Sequence, residues 1–199
     1  EILVKQRGHD ALKEAGIVML DCPLSGTGAM AKTKDLVVYA SGDQSSYQCC
    51  ISVFNGISRS NHHVGEFGNG SKMKFVANLL VAIHNVSTAE ALVLGIKAGL
   101  KPEDIFKVIT DGAGNSRMFE IRGPMMVAGD YGDATMKNSV WQKDMHIIAE
   151  FARSMDCPTP LFSSTEALYN AAMEQGLEAK DTASICAVME AMAGLPERK

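Results

Sequence analysis

The amino-acid sequence predicts an α/β segment followed by an all-α one: the carboxyl-terminal part of a doubly wound parallel sheet, then an all-helical domain built around one long central helix. Three observations carry this expectation. Two short apolar runs, Ile17-Val18-Met19-Leu20 and Leu36-Val37-Val38-Tyr39-Ala40, show no polar alternation, the pattern of strands covered on both faces. Their setting, helix, strand, loop, strand, helix, is half of such a sheet and too few strands to stand alone. From Ser71 onward every signal is helical, and the first run, to about Gly99, is apolar nearly all round. This puts the sheet portion in residues 1–69 and the helices in residues 70–199.

Each element has a local reason. Gly8 to Gly16 reads as a short helix with Asp10 in its first turn and Gly16 as its stop. Before it, Glu1 is not a methionine and Ile2-Leu3-Val4-Lys5-Gln6 has no capping residue, as expected of a fragment cut inside an element. The strand Ile17 to Leu20 ends at Asp21-Cys22-Pro23, and the small residues Leu24-Ser25-Gly26-Thr27-Gly28-Ala29 make a loop. Ser41-Gly42-Asp43 closes the second strand, and Gln44 to Phe54 is helical. Pro102, followed by Glu103 and Asp104, starts a helix that runs to about Thr110. Another begins near Met118, with breaks at Pro124 and over 129–133. Met136 to Met155 carries Trp141, Lys143 and Asp144; Pro158 and Pro160 follow it. Phe162 to Gln175, stopped by Gly176, and Asp181 to Ala193 complete the helices before a polar tail, Pro196-Glu197-Arg198-Lys199.

Composition excludes several functions. With 199 residues, 46% hydrophobic and 21% charged, the chain can bury a core. A formal charge of −4 with scattered lysines and arginines leaves no basic footprint for nucleic acid. Five cysteines, Cys22, Cys49, Cys50, Cys157 and Cys186, are odd in number and lack C-x-x-C spacing, which argues against a disulfide framework or a zinc site and fits a reducing cytoplasm. The uncharged run from Phe75 to Ala89 contains Asn78, His84, Asn85, Ser87 and Thr88, too polar and too short for a membrane span.

Chemistry concentrates in Gly65-Glu66-Phe67-Gly68-Asn69-Gly70-Ser71-Lys72-Met73-Lys74-Phe75-Val76-Ala77-Asn78. The glycines suit a turn needing positive φ or close approach, and Ser71 can cap the helix that follows. Lys74 then lies near a helix N-terminus among Met73, Phe75, Val76 and Ala77, where dipole and dryness both favour the neutral amine. An amine drawn down from about 10.4 toward neutrality can serve as general acid or base. Asn78, four residues on, shares its face; Lys72 points the other way, toward solvent. The plainer reading of Lys74 is a lysine snorkelling out of the helix. In a doubly wound sheet, ligands sit beyond the carboxyl ends of strands, which is where Ser25-Gly26-Thr27 falls. Hydroxyls and open N–H groups there suit a carboxylate, and equally suit a mere turn.

Two of these stretches, in this order, resemble the β-hydroxyacid dehydrogenase family of the 6-phosphogluconate dehydrogenase superfamily, which includes 3-hydroxyisobutyrate dehydrogenases and tartronate semialdehyde reductases. Asp21-Cys22-Pro23-Leu24-Ser25-Gly26 is similar to its D-x-P-[VL]-S-G substrate motif. Gly65-x-x-Gly68-x-Gly70-x-x-x-Lys74-x-x-x-Asn78 is similar to its catalytic motif, the more specific of the two. Lys143-Asp144-Met145 resembles the K-D-[LM] element, which alone would read as a solvated helix pair, and Gly176 to Asp181 resembles the closing G-x-x-x-x-D segment. The resemblance implies an NAD- or NADP-dependent oxidoreductase acting on a small hydroxy acid, with Lys74 as general acid/base. It makes Asn78 the partner of the substrate hydroxyl, Ser25, Gly26 and Thr27 a carboxylate cradle, and Lys143 with Asp144 the cofactor contact. A hydride moves between substrate carbon and nicotinamide while Lys74 manages the proton on the adjoining oxygen, with no metal required. It also implies a homodimer or homotetramer joined through the long helix.

The departures set the remaining expectations. Thr27 stands where the family most often has a second glycine, adding a hydroxyl that suits a more oxygenated acid. Lys34-Asp35 replaces a usual Gly-Thr pair and Met136 a usual phenylalanine. The family's opening strand and G-x-G-x-x-G, on the order of 100 residues of βαβ units, do not precede this stretch, so the resemblance is to a chain lacking the amino-terminal part of a Rossmann domain and binding dinucleotide weakly. Two other readings stay open: a dehydrogenase-like interaction or oligomerisation module without chemistry, and a 6-phosphogluconate dehydrogenase-like enzyme in which Arg117 and Arg122 pair a phosphate.

Overall fold

The computed structural model describes residues 2–196, which form an α/β unit up to Asn78 and an all-helical unit from Leu79 onward. Glu1 and the Glu197-Arg198-Lys199 end of the expected polar tail lie outside the described residues.

In the first unit, α1 (Ile2–Glu14) precedes a three-stranded sheet of β1 (Leu24–Ser25), β2 (Val37–Ala40) and β3 (Ser60–His63), with α2 (Gly28–Lys32) and α3 (Gln44–Ile57) in the connections. β2 and β3 pair in parallel, Val37 opposite Ser60 through Ala40 opposite His63, joined by α3 as a parallel crossover requires. β1 adds an antiparallel edge, Leu24 opposite Val38. Val38, Ala40, Tyr47 and Phe54 make the core between sheet and α3. α3 begins at its own cap: the Asp43 carboxylate accepts from Ser46 N at 2.7 Å.

Two expectations change here. The first helix starts at Ile2 and passes through Gly8, so Asp10 is in its interior; a Cβ at Gly8 would touch nothing, and the glycine costs only helix propensity. Ile17 to Leu20 is not a strand. Ile17 is 54% and Val18 58% exposed, because no strand among the described residues hydrogen-bonds to this segment; only the bridge between Asp21 and Ser41 ties its end to the sheet. An apolar run is compatible with a buried strand, but only a neighbouring edge makes it one. Conversely, the polar Ser60-Asn61-His62-His63 is a strand, held by β2 on one side, and its polar side chains suit a strand at the margin of a sheet.

α4 (Asn69–Lys97) spans the division between the units and carries Lys74 and Asn78 in its first part. It is long and apolar enough to cross a membrane by length and composition. Its polar residues instead serve a protein core: Asn85, 1% exposed, donates to the Tyr169 hydroxyl at 3.0 Å and to the Thr182 carbonyl at 2.9 Å. The helix is not buried all round, however. Met73, Val76 and Leu80, spaced three and four apart on one face, are 41–52% exposed.

Around the second part of α4 lie α5 (Pro102–Thr110), α6 (Arg117–Ala128), α7 (Asn138–Ser154), α8 (Pro160–Glu174), a 3-10 turn (Thr182–Ser184) and α9 (Ile185–Met192). Trp141, Met145, Ile148, Phe162, Tyr169 and Ile185 fill the core with Ala89 and Leu92 of α4. α6 passes through Pro124 without breaking. Proline loses one helical hydrogen bond and crowds the residue before it, and here that residue is Gly123, which also lacks the Cβ that would lie 2.6 Å from the Phe106 ring.

Candidate active site

Ser71 does not cap α4, because the helix starts two residues earlier, at Asn69. The cap comes from elsewhere in the chain. Ser41 Oγ accepts from Gly70 N at 2.9 Å, and Asp21 Oδ2 accepts from Ser71 N at 2.8 Å. Two of the N–H groups left without helical partners are thus satisfied by residues 29 and 50 positions away in sequence. The Ser71 hydroxyl donates to Asp21 Oδ1 at 3.0 Å, and Lys5 Nζ of α1 donates to the same oxygen at 2.6 Å and to Ser71 Oγ at 2.8 Å. The Asp21 side chain is fully buried, and a negative charge suits the positive end of α4.

Gly70 permits this docking. A Cβ there would lie 2.4 Å from the Tyr39 carbonyl oxygen, 2.6 Å from that of Asp21 and 2.9 Å from Pro23 Cδ. The start of α4 therefore rests on the Asp21-Cys22-Pro23 turn, which leads directly into Ser25, Gly26 and Thr27. Ser25 is half-buried in β1, Gly26 is exposed with φ +133°, and Thr27 caps α2, its hydroxyl accepting from Met30 N at 3.4 Å. Burial pushes the Cys22 thiol of this turn up, and the Asp21 charge adds to it, so the thiol stays protonated and is a poor nucleophile.

Lys74 is the sixth residue of α4, about 6 Å along the axis from Gly70 and past the first turn, where a helix dipole acts most. The helix dipole therefore acts on this amine less than its place in the sequence predicts. Its setting is as expected in another respect: Lys74 is half-buried, whereas Lys72 is exposed and donates to Asn69 Oδ1 at 3.1 Å. Asn78, one turn beyond Lys74, is 7% exposed. The first unit thus ties the Asp21 to Thr27 stretch to the turn that leads to Lys74 and Asn78. Ser41 and Lys5 carry no signal of a site in the sequence, and Asp21 stands out there only as the first residue of the D-x-P-[VL]-S-G pattern, without a role of its own.

Lys143 and Asp144 stand on α7 in the second unit, their side chains 73% and 24% exposed and 3.9 Å apart. Arg122, considered for a phosphate, is committed to the fold: its side chain is 3% exposed, pairs with Asp181 and donates to Thr135 Oγ1 at 2.7 Å. Arg117 lies near Glu120, 3.7 Å away. A cavity of about 550 Å³, lined by Asp130, Tyr131, Leu177, Lys180 and Glu190, draws on the Gly176 to Asp181 segment but on none of Ser25, Gly26, Thr27, Lys74, Asn78, Lys143 and Asp144. The strand-to-helix turn Gly26-Thr27-Gly28 leads into a helix of only five residues, too short to seat a pyrophosphate.

Two family profiles match the chain: the NAD-binding domain of NADP-dependent 3-hydroxyisobutyrate dehydrogenase over residues 68–189, and the NAD-binding domain of 6-phosphogluconate dehydrogenase over residues 2–65. L-threonate dehydrogenase of Cupriavidus necator is 33% identical over 87% of this chain and 59% of its own length. That of Pectobacterium atrosepticum is 33% identical over 94% and 62%. The chain thus spans about three fifths of the length of these curated relatives. The crystal structure of 3-hydroxyisobutyrate dehydrogenase from Salmonella typhimurium superposes with a TM-score of 0.83 at 29% identity, covering 92% of this chain and 64% of that one. By its sequence profile, its motifs and its fold, the chain belongs to the β-hydroxyacid dehydrogenase family, whose cofactor is NAD or NADP.

Proposed function

We propose that this chain carries the substrate and proton-transfer machinery of an NAD(P)-dependent dehydrogenase that interconverts a small β-hydroxy acid and its semialdehyde or keto form. The observation that supports it most is the docking of the first turn of α4 on the Asp21-Cys22-Pro23 turn, which holds Lys74 and the Ser25-Gly26-Thr27 stretch in one unit. Residues 1–69 supply the stretch that grips the carboxylate, through backbone N–H groups and the hydroxyls of Ser25 and Thr27. Residues 70–199 supply Lys74, whose Nζ takes or returns the proton of the substrate hydroxyl, and Asn78, which binds that hydroxyl. NAD or NADP supplies the hydride acceptor or donor. Of the residues here, Lys143 and Asp144 bear on its nicotinamide end, and nothing in the Gly26-Thr27-Gly28 turn fits its pyrophosphate. Calorimetry with NADH and NADPH is expected to read weak binding to the 199 residues alone; sub-micromolar affinity would contradict this.

Lys74→Ala is expected to lower turnover by about 10²–10⁴-fold, to a residual but measurable rate, with the fold intact by circular dichroism; activity near wild type would remove the amine from the mechanism. The acid itself is an oxygenated one, such as L-threonate, a reading supported by the Thr27 hydroxyl and by relatives that bear that name. Thr27→Gly should lower turnover of polyhydroxy acids relative to simple hydroxy acids, and an unchanged ratio would count against it. The enzyme works as a cytoplasmic homodimer or homotetramer joined through α4, where Met73, Val76 and Leu80 are exposed. A monomer by light scattering at micromolar concentration would remove that part.

A further inference from the structure

We infer that Asp21 is a positioning residue for Lys74: one carboxylate caps the lysine-bearing helix from the very turn that runs into the carboxylate cradle, and so sets the distance between amine and substrate. The inference rests on the function proposed for Lys74 and goes beyond it, because Asp21 need not touch the substrate.

Asp21 Oδ2 accepts from Ser71 N at 2.8 Å and Oδ1 from the Ser71 hydroxyl at 3.0 Å, so α4 cannot slide or rotate about its axis without losing both. The backbone of Asp21 is fixed in turn: its N–H and C=O exchange bonds of 2.9 Å with Ser41, and the Ser41 hydroxyl holds Gly70 N at 2.9 Å. Tyr39 N donates to the Pro23 carbonyl at 3.0 Å, two residues before Ser25, which is itself paired with Val37. Lys5 Nζ, 2.6 Å from Asp21 Oδ1, supplies the charge that lets the carboxylate remain buried. The cradle is thereby tied to β2, the first turn of α4 to Asp21, and Lys74 follows three residues after Ser71.

Proton transfer demands this degree of control. The amine must come within about 2.6–3.2 Å of the substrate oxygen, and a misplacement of about 1 Å can cost on the order of a hundredfold in rate. Ordinary local capping would fix α4 on itself. Capping from Asp21 fixes it on the substrate loop.

The test is kinetic and uses the full chain with saturating dinucleotide. Asp21→Asn keeps the shape and one acceptor but can no longer serve Ser71 N, the Ser71 hydroxyl and Lys5 together. It is expected to lower kcat at least about tenfold with little change in the KM for dinucleotide. Asp21→Ala is expected to be worse, and Ser71→Ala to show a milder loss of the same kind. In the Lys74→Ala background, Asp21→Asn should produce no further loss, because the group it positions is gone. A melting temperature that falls while kcat per folded molecule stays at the wild-type value would overturn the inference. So would a full additional loss in the Lys74→Ala background. Should Asp21→Asn not fold, the Ser71→Ala and Lys74→Ala pair decides in the same way. If Lys74→Ala itself retains full activity, the proposed chemistry fails, and that result is distinct from a silent Asp21→Asn beside an impaired Lys74→Ala.

Discussion

Each half of the chain contains a fully buried aspartate that holds the start of a helical segment, and the two differ in the cation that accompanies them. Asp21 serves Ser71 N of α4 and pairs with Lys5, whose side chain is 38% exposed. Asp181 accepts from Ala183 N at 2.9 Å, Thr135 N at 2.8 Å and Met136 N at 3.2 Å, and pairs with Arg122, 3% exposed. The carboxylates are equally dry, so the cost of losing either is set by its partner. Lys5 can swing its ammonium into water. Arg122 has nowhere to go, since its own side chain is buried and is held by Thr135 as well as by Asp181.

The largest expected effect follows from that difference. Asp181→Ala strands a buried guanidinium and should cost about 3–5 kcal/mol in chemical denaturation. Asp21→Ala should cost less, about 1–3 kcal/mol, the loss of a charged hydrogen-bond acceptor whose cation re-solvates. Equal losses for the two would break the comparison. Lys5→Met should cost a comparable amount, about 1–3 kcal/mol, because the fully buried Asp21 carboxylate loses its cation but keeps both Ser71 bonds and the helix end.

A third capping aspartate, Asp43, sharpens the contrast from the exposed side. Hydrogen bonds from Ser45 and Ser46 hold its carboxyl down at about 2. Its folded value lies below the unfolded one of about 3.9, so its contribution is complete above pH 4 and disappears as pH falls toward 2. The stability difference between wild type and Asp43→Ala, followed from pH 6 down to pH 2, should therefore shrink steadily toward the acid end. A difference that stays constant across that range would mean the charge plays no part in the cap.

Legibility from sequence followed the range of the interaction. α5 was readable to the residue because Pro102, Glu103 and Asp104 act within one turn, and α4 was readable because its apolar run is continuous. The Ser25-Gly26-Thr27 and Lys74-x-x-x-Asn78 patterns were visible as motifs. What could not be read was who holds them. Ser71, a capping type at a plausible place, turned out to receive a cap rather than give one, and Arg122, an apparent phosphate ligand, turned out to be spent on Asp181, 59 positions away. Ile17-Val18-Met19-Leu20 has the composition of a strand but, among the described residues, no strand beside it, while Ser60 to His63 has the wrong composition and the right neighbour.

By itself, then, the order of residues determined which segments are helical, where the apolar stretches lie and which side chains could do chemistry, because capping, turn formation and periodicity are settled within a few positions along the chain. Only the tertiary structure decided that α4 begins on Asp21 and Ser41, which strand pairs with which, and which charged groups are consumed by the fold. Those outcomes depend on contacts between residues 12 to 66 positions apart, and such contacts exist only once the chain has closed on itself.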